Sequence, residues 1–370
     1  MSLLTFLMKK AFRNPVNIMP FLLAFILLGN AYYQYYTVMK RDNALAPAPY
    51  TPSYSISILN GDLTLLEEDD PYIPVIREQI EKEKVRTPEE ENWQSYDLHQ
   101  IAALKQSIRR EAAVFGEESE IIPIMRRQIA YWDYMYRNDL PYEPYASYTN
   151  GIAFLCFVFD NILMPAVFAG MAYIIAGVFC SFHTDRIDQT ILLPVHAGTK
   201  TVSEISFSMI AGILTSATVI CFGFSMGCIF DGSGTIMRGI EVFNQDVQYV
   251  SLRSLLPQLF IITGCGLFFC TGLIRTVCIF ISDAMTALGT SVVLLVGLCR
   301  LPDGFAVIAD QAHWIPMTYL RPFAAVTGQL ADRLKNGSVS LDKGIIILFA
   351  AGMALWIVSM ISEHRRRGMK

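Results

Sequence analysis

Charge is scarce in this chain of 370 residues: 17% of them are Asp, Glu, Lys or Arg, against 53% hydrophobic. A soluble globular domain carries nearer a quarter charged residues, so composition points away from an ordinary soluble fold. The net charge of −4 excludes the strongly basic surface that nucleic acid demands. Motifs for chemistry are also missing. There is no G-x-x-x-x-G-K-[ST] loop, so the chain does not itself bind and hydrolyse ATP in the P-loop manner. There is no G-x-S-x-G elbow, no H-E-x-x-H and no pair of intramembrane acids. The five histidines are scattered, and no Cys/His grouping has metal spacing. The expectation is a protein without catalytic residues, metal or cofactor of its own. Cysteine is lacking where it would matter most. None of the eight falls between residues 38 and 151, so that segment is no disulfide scaffold and must hold itself by packing.

Long apolar runs are what the sequence does have. A bilayer core of about 30 Å demands about 20 apolar residues per helix, and spans are predicted at about 17–37, 153–182, 204–230, 256–274, 284–300 and 343–362. The fourth and fifth share one apolar stretch, Leu255 to Leu298, broken by Arg275 and Asp283; Arg275 is read as the turn between them. The fold class is an all-α membrane protein: six transmembrane helices, a helical extracellular insertion and a re-entrant region before the last span. The N-terminal segment carries Lys9, Lys10 and Arg13 without an acid, and the tail carries Arg365, Arg366, Arg367 and Lys370. Basic flanks stay inside, and six spans place both ends on one side, so both termini are expected in the cytoplasm and the chain in a bacterial plasma membrane. The 38–151 segment, with 12 Lys+Arg against 20 Asp+Glu, then lies outside. The domains are 1–37, an interfacial helix and first span; 38–151, an extracellular mostly helical domain; and 152–370, five further spans with a cytoplasmic loop at about 183–203.

Within the outer segment, Thr87-Pro88-Glu89-Glu90 reads as a helix start, followed by Trp93, Ile101, Leu104, Ile108 and Phe115 on one face. A second helix over about 118–137 spaces Ile121, Ile124, Met125, Ile129, Trp132 and Tyr136 by three and four. The crowd of Tyr131, Trp132, Tyr134, Tyr136, Tyr142, Tyr145 and Tyr148 is read as an aromatic belt at the headgroup level, with an aromatic binding surface as the alternative. Residues 301–342 are apolar but interrupted by His313, Pro316, Arg321 and Pro322, which suits half-helices buried against other helices.

Charges inside spans are functional candidates because burying them is costly. Asp160 and Arg275 qualify: Arg275 is most simply the turn between spans four and five, and Asp160 is read either as solvated at the outer end of the second span or as part of a substrate path. The loop 182–205 is the other informative segment. Asp185, Arg186, Asp188 and Gln189 precede Leu192, Leu193 and Pro194, a short helix with a charged front and an apolar back that suits docking to another protein.

This loop resembles that of the ABC-2 type of ABC exporter permeases. There an aromatic residue ends the second span, followed by an acidic, Thr-containing turn, a Leu-Leu-x-Pro-like step and a short run into the third span. Here those are Phe182, Asp185, Thr190, Leu192, Leu193, Pro194 and Ser203-Glu204. The start MKKAFRNPVNIMPFLLAFILLG is similar to the same family, as are VLLVGLCRLPDGF and HWIPMTYLRPF before the last span. The resemblance covers about two thirds of the chain and leaves out the insertion of about 110 residues after the first span. It implies a permease subunit that forms the translocation pathway and pairs with a second six-span subunit, alike or different. Each subunit docks a separate ATPase, which holds the ATP and Mg. Asp185, Arg186, Asp188, Gln189, Leu192, Leu193 and Pro194, with Lys9, Lys10 and Arg13, would couple the ATPase to the spans; the substrate would be a peptide, drug or lipid. A sensor or immunity receptor for an extracellular peptide is one rival, and a secondary transporter is another.

Overall fold

A computed structural model of the chain describes residues 3–13, 15–43, 50–87, 90, 92–141, 149–184, 187–188, 196–244 and 246–368. Helix α1 (Leu3–Arg13) leads through a 3-10 turn (Pro15–Ile18) into α2 (Met19–Asn43). Four helices follow: α3 (Pro52–Leu65), α4 (Tyr72–Val85), α5 (Gln94–Phe115) and α6 (Ile121–Arg137). Then come α7 (Gly151–Asn161), α8 (Leu163–Cys180), the short strands β1 (His183–Thr184) and β2 (Ile187–Asp188), and α9 (Ala197–Asp231). A hairpin of β3 (Gly239–Asn244) and β4 (Asp246–Ser251) precedes α10 (Leu252–Phe280) and α11 (Ala284–Val292). A π turn (Val293–Gly297) joins α11 to α12 (Leu298–Gly304), followed by α13 (Ala306–Asp310), α14 (Pro322–Val326), α15 (Gln329–Leu334) and α16 (Leu341–Gly368). The chain divides into two compact units. One comprises residues 1–35, 149–234 and 256–370; the other comprises 36–148 and 235–255.

In the first unit, four helices among the described residues are long and apolar enough to cross a membrane: Leu163–Cys180, Gly198–Asp231, Leu252–Phe280 and Leu341–Arg365. That is the make-up of a helical membrane protein. Gly151–Asn161 and Ala284–Gly297 are shorter apolar helices. Helix α2 occupies the 17–37 prediction, but Asn30, Gln34 and four tyrosines dilute its second half. Along α16, Ile346, Phe349, Met353, Ile357 and Ile361 are exposed, an apolar stripe that hydrocarbon solvates and water does not.

The predicted second span is two helices rather than one. Pro165 has no N–H for the Asn161 carbonyl and its ring crowds that group, so the helix is interrupted there although Ile162 still donates to the Val158 carbonyl and accepts from Ala166. Upstream, the Asn150 side chain caps α7 by accepting from the Ala153 N–H at 2.9 Å. Helices α7 and α9 touch backbone to backbone, and a Cβ at Gly227 would sit 2.6 Å from the Gly151 Cα. Gly223, one turn earlier, lies against Val158. Small residues four apart permit this approach, and in lipid such contact is a main source of helix association.

The fourth span continues past Arg275 to Phe280, and the break to the fifth comes at residues 281–283. Arg275 is therefore inside α10 and not in a turn. The 305–340 segment is short helices and 3-10 turns whose central residues, including Ala312, Tyr319, Leu320 and Pro322 to Val326, are buried. Such burial is what irregular backbone requires wherever it lies within a bilayer.

The second unit packs α3 to α6 and the hairpin around Leu59, Ile76, Leu98, Ile101, Tyr131, Trp132 and Met135. Helices α5 and α6 overlap the two that periodicity predicts, while α3 and the hairpin are not among the predicted elements. Tyr131 and Trp132 belong to this core, and the Tyr134 hydroxyl donates to the Met237 carbonyl at 2.6 Å, so they are not a headgroup belt. Tyr142, Tyr145 and Tyr148 lie outside the described residues. Glu83 is fully buried and accepts from Ser95 Oγ at 2.7 Å, Asn92 Nδ2 at 3.1 Å and Arg86 Nε at 2.8 Å. Arg86 also reaches the carbonyls of Glu90 and Tyr50. This network ties Arg86, Glu90, Asn92 and Ser95 to the end of α4, and the Glu90 N–H donates to the Thr87 carbonyl. The predicted start at Thr87 is shifted, and α5 begins at Gln94.

Candidate functional site

At one end of the first unit the last turns of α8, α10 and α16 meet the first turns of α9, and four charges meet there, Lys200, Glu204 and Arg275 buried and Glu363 half-buried. Arg275 of α10, 2% exposed, forks onto Glu204 of α9, Nε to Oε2 at 3.0 Å and Nη2 to Oε1 at 3.1 Å. The same Nη2 is 3.5 Å from Glu363 Oε2 of α16. Lys200, one turn before Glu204, ion-pairs with Glu363 and lies 3.8 Å from Glu204 Oε1. The guanidinium also sits 4.6 Å from the ring centre of Phe179 on α8. Two acids and two bases cancel, so the set carries no net charge.

Such a cluster is satisfied in one relative placement of α8, α9, α10 and α16. A lone buried ion costs several kcal/mol, and excellent geometry with extra hydrogen bonds is what offsets it. The planar fork of arginine supplies that geometry, which lysine cannot. A shift of one helix past another would strand at least one charge. Chemically the arrangement is a latch and not a catalytic centre.

The predicted coupling residues gather near this end in part. Helix α1 lies against α8 and α9. Its Lys10 Nζ stands 3.7 Å above the ring of Phe182, the residue that opens the loop. Lys9 and Arg13 are exposed. In the loop, His183 pairs with Asp188 and Thr184 with Ile187 as antiparallel strands, where a helix was expected. Asp185, Arg186, Gln189, Leu192, Leu193 and Pro194 lie outside the described residues. Lys200 and Glu363 escaped notice as span-end charges, and Glu204 was noted only for its resemblance. Lys200 and Glu204 at i and i+4, with an arginine deep in an apolar run that requires a counter-ion, were the signal.

Asp160 lies elsewhere in the same unit, at the break between α7 and α8. It lines a cavity of about 30 Å³ together with Asn161, Pro165, Cys299, Leu320 and Arg321. Three irregular backbones converge there: the α7–α8 break, the π turn leading into α12, and the 3-10 turn before α14. Broken helices at a polar intramembrane cavity are a recurrent way to build a transport site, and π turns concentrate at functional positions. Asp160 is exposed, and the Asn161 amide donates to its Oδ2 at 3.4 Å. Compared with known proteins, this chain matches no family model, no curated protein and no solved structure.

Proposed function

We propose that this chain is the permease subunit of an ATP-driven exporter in a bacterial plasma membrane. The observation that carries this reading is the neutral four-charge latch, set at the end of the helices where α1 and Phe182 also lie. In this reading the chain crosses six times, with α2 and the α11–π turn–α12 segment added to the four long apolar helices, and both termini are cytoplasmic. A separate ATPase, carrying ATP and Mg, docks on the loop beside α1. Closure of the ATPase pair pulls on the loop, opens the latch and shifts α9 and α10 between two packings, as binding energy biases a two-state equilibrium. A second six-span subunit completes the pathway. The insertion of 38–151 is extracellular, and the substrate is a peptide, drug or lipid.

The test is co-purification of the full chain with candidate ATPases. Leu193→Asp with Pro194→Gly is expected to abolish association while leaving the chain folded; undiminished association overturns the coupling role. The cavity at Asp160 favours one other reading, a secondary transporter, because a charge at a broken helix is what such proteins use. Uptake into proteoliposomes driven by an ion gradient, without any ATPase, would establish that alternative.

A further inference from the structure

Beside α1 the surface of the first unit opens into an apolar cleft of about 120 Å³. Met8 and Phe12 of α1, Ile18 and Phe21 beyond it, and Ile210 and Leu214 of α9 form its walls. Its polar lining residue is Asn17, whose amide donates to the Ala11 carbonyl at 2.7 Å and closes the end of α1.

The sequence of α1 sets charge beside this cleft. Met8 and Phe12 are four residues apart, and so are Lys9 and Arg13, so the two pairs occupy adjacent strips of the helix. One strip faces the cleft and the next, exposed, carries two cations. Helix α1 contains no Asp or Glu, and among the described residues neither cation is in an ion pair. Like charges at i and i+4 repel, and an anion between them relieves that repulsion. Lys10 is turned away, over Phe182. Phe12 is 70% exposed and Ile18 57%, a placement that suits the boundary between headgroups and acyl chains. A narrow apolar cleft with no free hydrogen-bonding edge for a peptide backbone, opening beside a basic strip, matches a charged head on a hydrocarbon chain.

We infer that this cleft binds an anionic phospholipid of the bilayer. One acyl chain enters between Phe12 and Leu214, and the headgroup phosphate sits across Lys9 and Arg13. The lipid fixes α1 in the interface beside the latch. The inference stands apart from the exporter reading, and its test uses neither ATPase nor transport.

The purified full chain in neutral detergent is titrated with phosphatidylglycerol or phosphatidylcholine of the same chains, and bound lipid is read by native mass spectrometry. Phosphatidylglycerol is expected to bind about thirtyfold more tightly. Lys9→Gln with Arg13→Gln weakens it about thirtyfold, about fivefold for each base near an anionic headgroup, and leaves phosphatidylcholine unchanged. Leu214→Trp, at an already exposed position in the mouth, weakens both lipids; Leu214→Phe serves if the larger ring prevents folding. Equal affinity for the two lipids overturns the inference. So does a double variant that keeps its preference for phosphatidylglycerol, or inorganic phosphate competing as well as the lipid, which would mean an anion site without a chain.

Discussion

Arg275→Met strands a carboxylate. Glu204, 4% exposed, keeps only Lys200 at 3.8 Å, beyond hydrogen-bond reach. Two charge-assisted hydrogen bonds, each worth about 1.5–3 kcal/mol, disappear. Breaking a buried pair on one side typically costs about 3–5 kcal/mol in all. Glu204→Leu strands the guanidinium instead, but that group retains Glu363 at 3.5 Å and the Phe179 ring at 4.6 Å, so the loss falls near the lower figure. Combining the two removes both charges, leaves Lys200 with Glu363 as a self-contained pair and keeps the sum at zero. The double variant is therefore expected to lose less than about 2 kcal/mol, because apolar groups replace a buried pair at little cost. The coupling energy would be at least about 4 kcal/mol, above the range of about 0.5–3 kcal/mol usual for residues in contact. Arg275→Lys is expected to fall between, since an ammonium cannot fork. Denaturant unfolding in micelles, followed by Trp356 fluorescence on α16, measures all four proteins. Single losses that simply add, within about 0.5 kcal/mol, would refute the latch.

Four further outcomes are expected. Burial, with repulsion from Asp139 added, lifts the Asp97 carboxyl from 3.8 to about 8, so its share of stability is full below about pH 4 and is lost as pH rises through about 8. At about 1.4 kcal/mol per pH unit, on the order of 4 kcal/mol disappears from α5 between pH 5 and 8; Asp97→Asn should flatten that slope in hydrogen exchange of residues 94–115. Glu83→Ala leaves the Arg86 guanidinium and two buried donors without their acceptor, and should destabilise the second unit by about 3–5 kcal/mol in urea unfolding of the intact chain. Gly227→Val drives a side chain into the Gly151 backbone and should lower the unfolding temperature sharply, whereas Gly264→Ala, with nothing within 4 Å, should leave it unchanged. Asp160→Asn should reduce transport about tenfold or more with unfolding unchanged within about 0.5 kcal/mol, and a variant that transports normally removes Asp160 from the path.

Long apolar runs were legible because twenty such residues in a row have few physical solutions. Helical periodicity likewise gave α5 and α6, whose inward faces at Ile101 and Trp132 are buried. The errors share one cause: a short stretch of sequence does not show its distant partners. Arg275 was read as a turn because an isolated charge defaults to water, while its partner Glu204 lies 71 residues away. Thr87 does make a turn, its carbonyl accepting from the Glu90 N–H at 3.2 Å. Yet α5 begins at Gln94, with Asn92 donating to Glu83 and the Glu90 carbonyl accepting from Arg86 before it. Alternating Ile240, Val242, Val247 and Tyr249 carried a strand signal that went unread between two spans. For Asp160, the sequence offered an acid in a span; its cavity depends on the π turn and on residues around Arg321, whose approach no local pattern encodes.

Coupling in the proposed exporter requires a path from the latch to the cavity, and α9 provides one. Its first turns hold Lys200 and Glu204, while its far half carries Gly223 and Gly227 in contact with α7. Close backbone contact of this kind resists sliding, so α7 and α9 move as one body. Helix α8 packs on α9 through Phe179 against Phe207 and meets α7 at the junction where Pro165 offers the Asn161 carbonyl no N–H. Opening the latch then releases α9 from α10 and α16 at one end and bends the α7–α8 junction at the other, where Asp160 faces the cavity. The junction acts as a hinge because Pro165 denies it a hydrogen bond, and the glycine contact acts as a lever because it denies α7 independent motion. On this argument Pro165→Ala, which restores the bond to the Asn161 carbonyl, should stiffen the junction and slow transport while leaving the latch intact.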